Sequence, residues 1–516
     1  MLINNNCNCA GSQELEDRVS SLERRLRALE QPAWRISPDE SRWDSCNLGP
    51  CDCRIETASL SCWSLGLVDL PPEQVVPRDV AKIDLSNNQL MALHKETFDG
   101  LERLNHLDLN DNTIKHLPIN IFKSLQNLTH LRLSKNFLRG IDKNQLMPMK
   151  SLEILDLSMN RLRSIPIGAF STNSALALLD LSSNRLASLG ARVFFGASKL
   201  EELLLSRNEL ADLHLESFTG LASLRRLSLD ENRLSDLNPA TFDDLQTLEE
   251  LDLRANKLKH LSVNLVSSLA SLQALHLSSN NLSHINVGAF RGLKSLRELD
   301  LGYNRLKNLP RGLFLPLVSL ERLMLHGNWL QSLETGEFAG LVNVTTLFLH
   351  SNHLRFIHVA CFKDTPRLRK LQLERNELAN VPKGVFARAA SLTQLQLGSN
   401  PWRCDCHSLP LATWLRNQYR RSVDSATEKV GDSLTTTTKN PKTLSVVSSW
   451  WEFGAGAVCR TPAVLSGQPL VALGFRELCL DEWASMKGFS PRLPTQPVDL
   501  RTIANLRADD DYYADR

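Results

Sequence analysis

Fourteen asparagines stand 24 residues apart without a slip, at Asn88, Asn112, Asn136, Asn160, Asn184, Asn208, Asn232, Asn256, Asn280, Asn304, Asn328, Asn352, Asn376 and Asn400. A domain built on a single core has no use for so strict a period. A stacked array does, because every coil must meet its neighbour in one register.

Leucines surround each asparagine in fixed phase. One unit runs Leu104, Leu107, Leu109, Asn112, Ile114, Leu117 and Phe122; another runs Leu248, Leu251, Leu253, Asn256, Leu258 and Leu261. This is L-x-x-L-x-L-x-x-N-x-L, and it resembles the leucine-rich repeat. The fold expected is an α/β solenoid, a horseshoe of about 14 repeats of 24 residues with a parallel concave sheet. Leu107 and Leu109 are two apart and face one side of a short strand, and neighbouring coils complete the core. Where the chain turns inward, backbone groups lose ladder partners. A buried asparagine amide replaces them, and the expectation is that it bonds the coil above and the coil below. Ten residues after most asparagines comes a phenylalanine, from Phe98 and Phe122 to Phe362 and Phe386, with Leu146 and Val266 as exceptions. These rings are expected to form a spine, packed edge to face.

A solenoid exposes its core at both ends. Upstream stand Cys46, Cys51, Cys53 and Cys62; downstream stand Asn400-Pro401-Trp402-Arg403-Cys404-Asp405-Cys406, Trp414, Cys459 and Cys479. Spacing alone allows three connectivities for each set of four cysteines. The two blocks resemble the cysteine-rich flanks of extracellular leucine-rich repeat proteins, the group that includes Slit, Toll and the Nogo receptor. That resemblance covers residues 46 to 480 and implies Cys46–Cys53, Cys51–Cys62, Cys404–Cys459 and Cys406–Cys479. Disulfides point to an oxidising compartment, and sequons at Asn127, Asn281 and Asn343 agree with it as glycosylation sites. Cys361 stands where a small residue precedes the spine phenylalanine, and reads as a buried free thiol. The opening residues have neither the basic start nor the apolar run of a signal peptide, so the expectation is a natural start further upstream.

Residues 13–31 follow another period. Leu15, Val19, Leu22, Leu26 and Leu29 make a heptad seam, with Arg18 and Arg25 placed to meet Glu23 and Glu30 of a parallel partner. A parallel homotrimer or dimer is expected, stapled by interchain bonds at Cys7 and Cys9. The organisation expected is 1–31 for this segment, 32–45 a linker, 46–79 the first cap, 80–400 the repeats, and 401–480 the second cap. That cap carries an insert at about 424–456, and 481–516 is an acidic tail whose Tyr512 and Tyr513 suit sulfation.

The formal net charge of +2 reserves no face for lysine and arginine, so no nucleic-acid footprint is expected. No cofactor, no metal site and no enzymatic motif such as G-x-S-x-G or H-E-x-x-H is found. Function is then expected on exposed strand positions. One column reads Asp84, Asp108, Arg132, Asp156 and Asp180, and later Asp300, Met324 and Phe348. Met324 and Phe348 depart from it, with His326, His350 and Tyr303 beside them. Such a patch has the composition of a binding hot spot, and its histidines place a pH response between about 5 and 7. Ile154 and Leu178 form a weaker candidate. The function expected is an extracellular protein-binding scaffold for adhesion, guidance or matrix contact, with a protein ligand or cell-surface receptor as partner. The alternative is innate-immune recognition of the Toll type.

Overall fold

A computed structural model describes residues 34–37, 43–387, 389, 391–418 and 456–479, together with residue 19. Cys7, Cys9, the heptad segment apart from Val19, the insert apart from Gly456, and the tail lie outside the described residues. The chain forms two compact units, Met1–Lys257 and Leu258–Arg516. Each is built as a parallel-sheet solenoid, with about 14 turns in the chain.

In the first unit, three-residue strands run from Lys82–Asp84 to Glu250–Asp252, each pairing in parallel with the strand 24 residues on. In the second, the same ladder runs from Ala274–His276 to Gln394–Gln396. The central residue of each strand, a leucine everywhere but Ile83, is buried between two more exposed neighbours, as period two requires.

The asparagines explain the period. At Asn208, Oδ1 accepts from the Leu186 N–H at 3.0 Å, and Nδ2 donates to Leu181 O at 3.0 Å and Leu205 O at 3.1 Å. Asn112 and Asn352 repeat this pattern. Each amide therefore joins its own turn to the preceding coil, and not to coils on both sides as the sequence suggested. The reason is reach: the amide lies against carbonyls 27 and 3 residues back, which take up its donors.

The phenylalanine spine also differs from expectation. Phe170, Phe194, Phe218 and Phe242 stack with planes 4–25° apart and centroids 5.9–6.3 Å apart. In the second unit Phe290, Phe314, Phe338, Phe362 and Phe386 do the same, with planes 7–19° apart. Identical rotamers repeated by near-translation give parallel offset rings, so the edge-to-face arrangement is confined to one end. There Trp34 meets Phe98 at 73°. Trp414 covers Phe386 at the other end, centroid to centroid 5.1 Å.

Both caps are closed by disulfides, Cys46–Cys53 and Cys51–Cys62 in the first and Cys404–Cys459 and Cys406–Cys479 in the second. Gln74 binds the first cap together, accepting from Cys51 N and donating to Cys46 O and Val75 O. Gly49 permits this, since a Cβ there would fall 2.1 Å from Gln74 Oε1. Residues 34–37 and 43–45, expected within a linker, are part of this cap instead. Arg35–Ile36 pairs with Val75–Val76, and Trp34 and Trp43 are buried. Two tryptophans supply more apolar surface than a solvated linker would leave in water. In the second cap, Trp402 is fully buried and donates to Leu397 O, while Arg416 donates to Leu473 O. Cys361 is free and buried. No described helix is long and apolar enough to cross a membrane.

Candidate functional site

Six of the fourteen residues in the strand column that begins with Asp84 are aspartates that serve the scaffold. Asp84, Asp108, Asp156, Asp180, Asp252 and Asp300 each accept the backbone N–H two residues on, at 2.8–3.0 Å. This bond tightens the turn that leaves the strand. Met324 and Phe348 have no carboxylate to offer, so two adjacent turns forgo a scaffold bond. Their Cα atoms are direct partners across the ladder.

Around them the second unit gathers rings. The Tyr303 ring meets His326 edge-on at 4.8 Å, and His326 stacks on His350 at 4.8 Å. Phe348 stands edge-on to both histidines, at 6.4 and 6.2 Å, and Lys370 Nζ lies 5.5 Å from the Phe348 centroid. All five expected residues, Tyr303, Met324, His326, Phe348 and His350, thus form one continuous patch. Tyr303 is 59% exposed and the other four are half-buried. Glycine makes room for it: a Cβ on Gly302 would strike the His326 ring at 2.5 Å, and one on Gly327 would strike Tyr303 at 2.6 Å. Gly327 also has φ +65°, which favours glycine.

The histidine row continues to Glu374, one repeat beyond His350. His350 Nδ1 stands 4.0 Å from Glu374 Oε1, beyond hydrogen-bonding reach. Nδ1 of both histidines and Oε2 of Glu374 are buried with no hydrogen-bond partner. Burial, then the neighbouring His326 and Arg375, pushes His350 down to about 4. Burial also lowers His326, and it raises the Glu374 carboxyl. The response expected between pH 5 and 7 is therefore displaced toward acid, because desolvation disfavours the imidazolium. The result is an aromatic surface with unpartnered polar atoms at its floor.

In the first unit Ile154 and Leu178 are half-buried ladder partners. Nearby, His106 and His130 stack at 4.1 Å on a cavity of about 430 Å³ that Lys82, Asp108 and Arg132 also line. Their rings are tied down at Nδ1, to Asn105 Oδ1 and Thr129 Oγ1, so this site is more self-satisfied than the patch. Among the sequons, Asn127 is exposed and donates to Glu102 O at 2.9 Å, and Asn343 likewise donates to Val318 O and also accepts from Arg367. Among the described residues no group of three or more His, Cys, Asp or Glu could hold a metal ion.

Sequence reasoning reached the five patch residues through their phase. It missed Glu374 and Lys370, although Gly302, His326, His350, Glu374 and Gly398 form a column 24 residues apart.

These features define a doubly capped solenoid with a ring-lined patch on the strands of its second unit. The leucine-rich repeat model matches residues 78–136, 111–162, 150–210, 198–258, 246–306, 295–354 and 342–401, and the chain belongs to the leucine-rich repeat family. No curated protein sequence matches it. Among solved structures it is similar to a TLR13–ssRNA13 complex, with 25% identity and TM-score 0.64 over 77% of this chain and 53% of that one. The Toll–Spatzle complex of Drosophila gives TM-score 0.59 at 20% identity, over 80% of this chain and 57% of Toll, a likeness of fold alone. A leucine-rich repeat protein of Leptospira interrogans gives 27% identity and TM-score 0.56, over 71% of this chain and 95% of that one. The chain thus spans about half the length of the TLR13 and Toll chains it matches.

Proposed function

We propose that this protein is an extracellular or cell-surface binding scaffold that takes a protein partner on the strand face of its second unit. The observation that carries the reading is the replacement of turn-forming aspartates by Met324 and Phe348, within the ring cluster of Tyr303, His326 and His350. Arg132, Leu204, Ser228, His276, Gln372 and Gln396 also lack the aspartate, so the reading rests on the large side chains gathered here and not on the lost bond alone. Large, half-exposed aromatic groups with few rotatable bonds are what interface hot spots are made of. The disulfide caps support an oxidising compartment, and the exposed Asn127 suits a glycan there. Adhesion, guidance or matrix contact is the reading preferred.

Recognition of a microbial or developmental ligand is the second reading. It is favoured by the likeness to TLR13, whose structure holds an RNA, and to Toll, whose structure holds Spatzle.

Phe348→Ala is expected to weaken partner binding at least about tenfold while the melting temperature stays within roughly 2 °C. Surface binding to a panel of cell-surface ectodomains, microbial glycans and single-stranded RNA would report it. Unchanged affinity for whichever ligand binds would remove the patch from the proposal, and RNA as the ligand would remove the protein partner.

A further inference from the structure

Several arginines along this solenoid are paired with a carboxylate one repeat away. Arg192 meets Glu216, Arg207 meets Glu231, Arg225 meets Glu249, Arg233 meets Glu209 and Arg322 meets Glu298. The 24-residue period places such partners side by side at about one strand spacing, so the sequence can neutralise each arginine with an acid in an adjoining turn.

Other arginines have no such partner, and three of them gather on the edge of the second unit's ladder, among residues just ahead of the strands. A cavity of about 570 Å³ is lined there by Arg297, Arg367 and Arg369 and by a single carboxylate, Glu321. One repeat to either side of Arg369 stand Thr345 and Thr393; around Arg367 stand Asn343 and Ser391. None of these four is acidic. Among the described residues no ion pair joins any of the three arginines to a carboxylate. Arg367 makes one bond, to the neutral Asn343 Oδ1 at 2.6 Å, and Asn343 is itself fixed by Val318 O at 2.7 Å. The guanidinium is thereby oriented without being neutralised.

We propose that this rim cavity is a second binding site, distinct from the ring patch, for the sulfate and carboxylate groups of an acidic polysaccharide. Guanidinium groups match oxyanions with paired N–H donors and are weakly hydrated, so they bind such groups at low desolvation cost. Three of them against one carboxylate leave the cavity with an excess of two positive charges. Hydroxyls of Ser319, Thr345 and Ser391 complete a polar lining suited to sugar. A single-stranded nucleic acid fits less well, since its bases need aromatic side chains to stack on and no aromatic residue lines the cavity.

The test is binding of the full chain to heparin, a sulfated polysaccharide, across a salt series. The double variant Arg367→Ser, Arg369→Thr installs residues that neighbouring repeats already carry at those phases, so the fold is expected to melt as before. It should bind about tenfold more weakly at 0.15 M salt, with the log–log salt slope reduced by about two. Thr345→Glu, which supplies the absent acid beside Arg369, should weaken binding in the same direction. Thr345→Val, which removes the sequon but adds no charge, should bind at least as tightly as the parent. Arg233→Ser, at a paired arginine elsewhere, should change nothing. Equal affinity and slope in the double variant would overturn the proposal, as would an equal loss in Arg233→Ser or a loss in Thr345→Val. Tighter binding of single-stranded RNA through the same two arginines would overturn it in favour of a nucleic-acid ligand.

Discussion

Glu337 lies just ahead of spine residue Phe338, with Leu313 and Cys361 at the same phase in the turns on either side. It is 4% exposed, and its Oε2 has no hydrogen-bond partner. Burial raises its carboxyl to about 7. The folded chain then keeps a proton that the unfolded chain gives up near 4.5, so stability is greatest below 4.5, falls as pH rises to about 7, and stays low beyond. Glu337→Gln is expected to add about 2 kcal/mol at pH 8 and nothing at pH 4. Denaturant unfolding at the two values checks this, and an equal gain at both would contradict it. Asn208 is the opposite case, a buried polar group with its atoms employed. Asn208→Ala orphans the Leu186 N–H, while Leu181 O keeps its bond from Asn184, and should cost about 2 kcal/mol in the same measurement. The period made such asparagines legible in the sequence. Which coil each one grips was not, because a period is the same read in either direction. Glu337 was passed over for a related reason: a residue's burial is not visible in its letter.

At the level of elements, the ends carry the lesson. Composition made residues 32–45 look like a linker, with Pro32, Pro38 and many polar groups. The structure seats Trp34 against Phe98 and donates its indole N–H to Thr97 O at 2.8 Å. Arg35–Ile36 pairs with Val75–Val76, forty residues on, and a two-residue strand whose partner is so distant leaves no local signal. Trp34→Ala should therefore act as a core truncation and not as a surface change. We expect about 3 kcal/mol of local destabilisation, seen as faster amide exchange in the first cap and first turns, with turns near Asn208 unaffected. Exchange unchanged near Phe98 would mean that the tryptophan is not a structural plug. The opposite cap was easier to read, because Asn400-Pro401-Trp402 and its cysteines form a contiguous motif.

For the molecule as a whole, the repeat made the scaffold and the patch positions readable together. Once the phase is known, Met324 and Phe348 are visible as departures. What phase could not supply was the surrounding company: Lys370 above Phe348, Glu374 beyond His350, and the glycines that let the rings approach. The arginine cavity was likewise hidden in a chain whose net charge is near zero, since charge balance over 516 residues says nothing about one rim. The backward grip of the asparagines has a further consequence. Within each unit a coil's amide looks for partners only in itself and in the coil made before it, and Asn88 finds its first in Cys62 O and Leu67 N–H of the cap. A chain leaving the ribosome amino end first can therefore settle each asparagine side chain as its turn emerges, whereas backbone N–H groups such as those of Leu181, Ser183 and Leu186 wait for the coil that follows. Erosion from the carboxy end leaves every remaining asparagine side chain of this kind with its partners, whereas loss of the first cap takes Cys62 O and Leu67 N–H from Asn88 and leaves it only Leu85 O and Ser86 O.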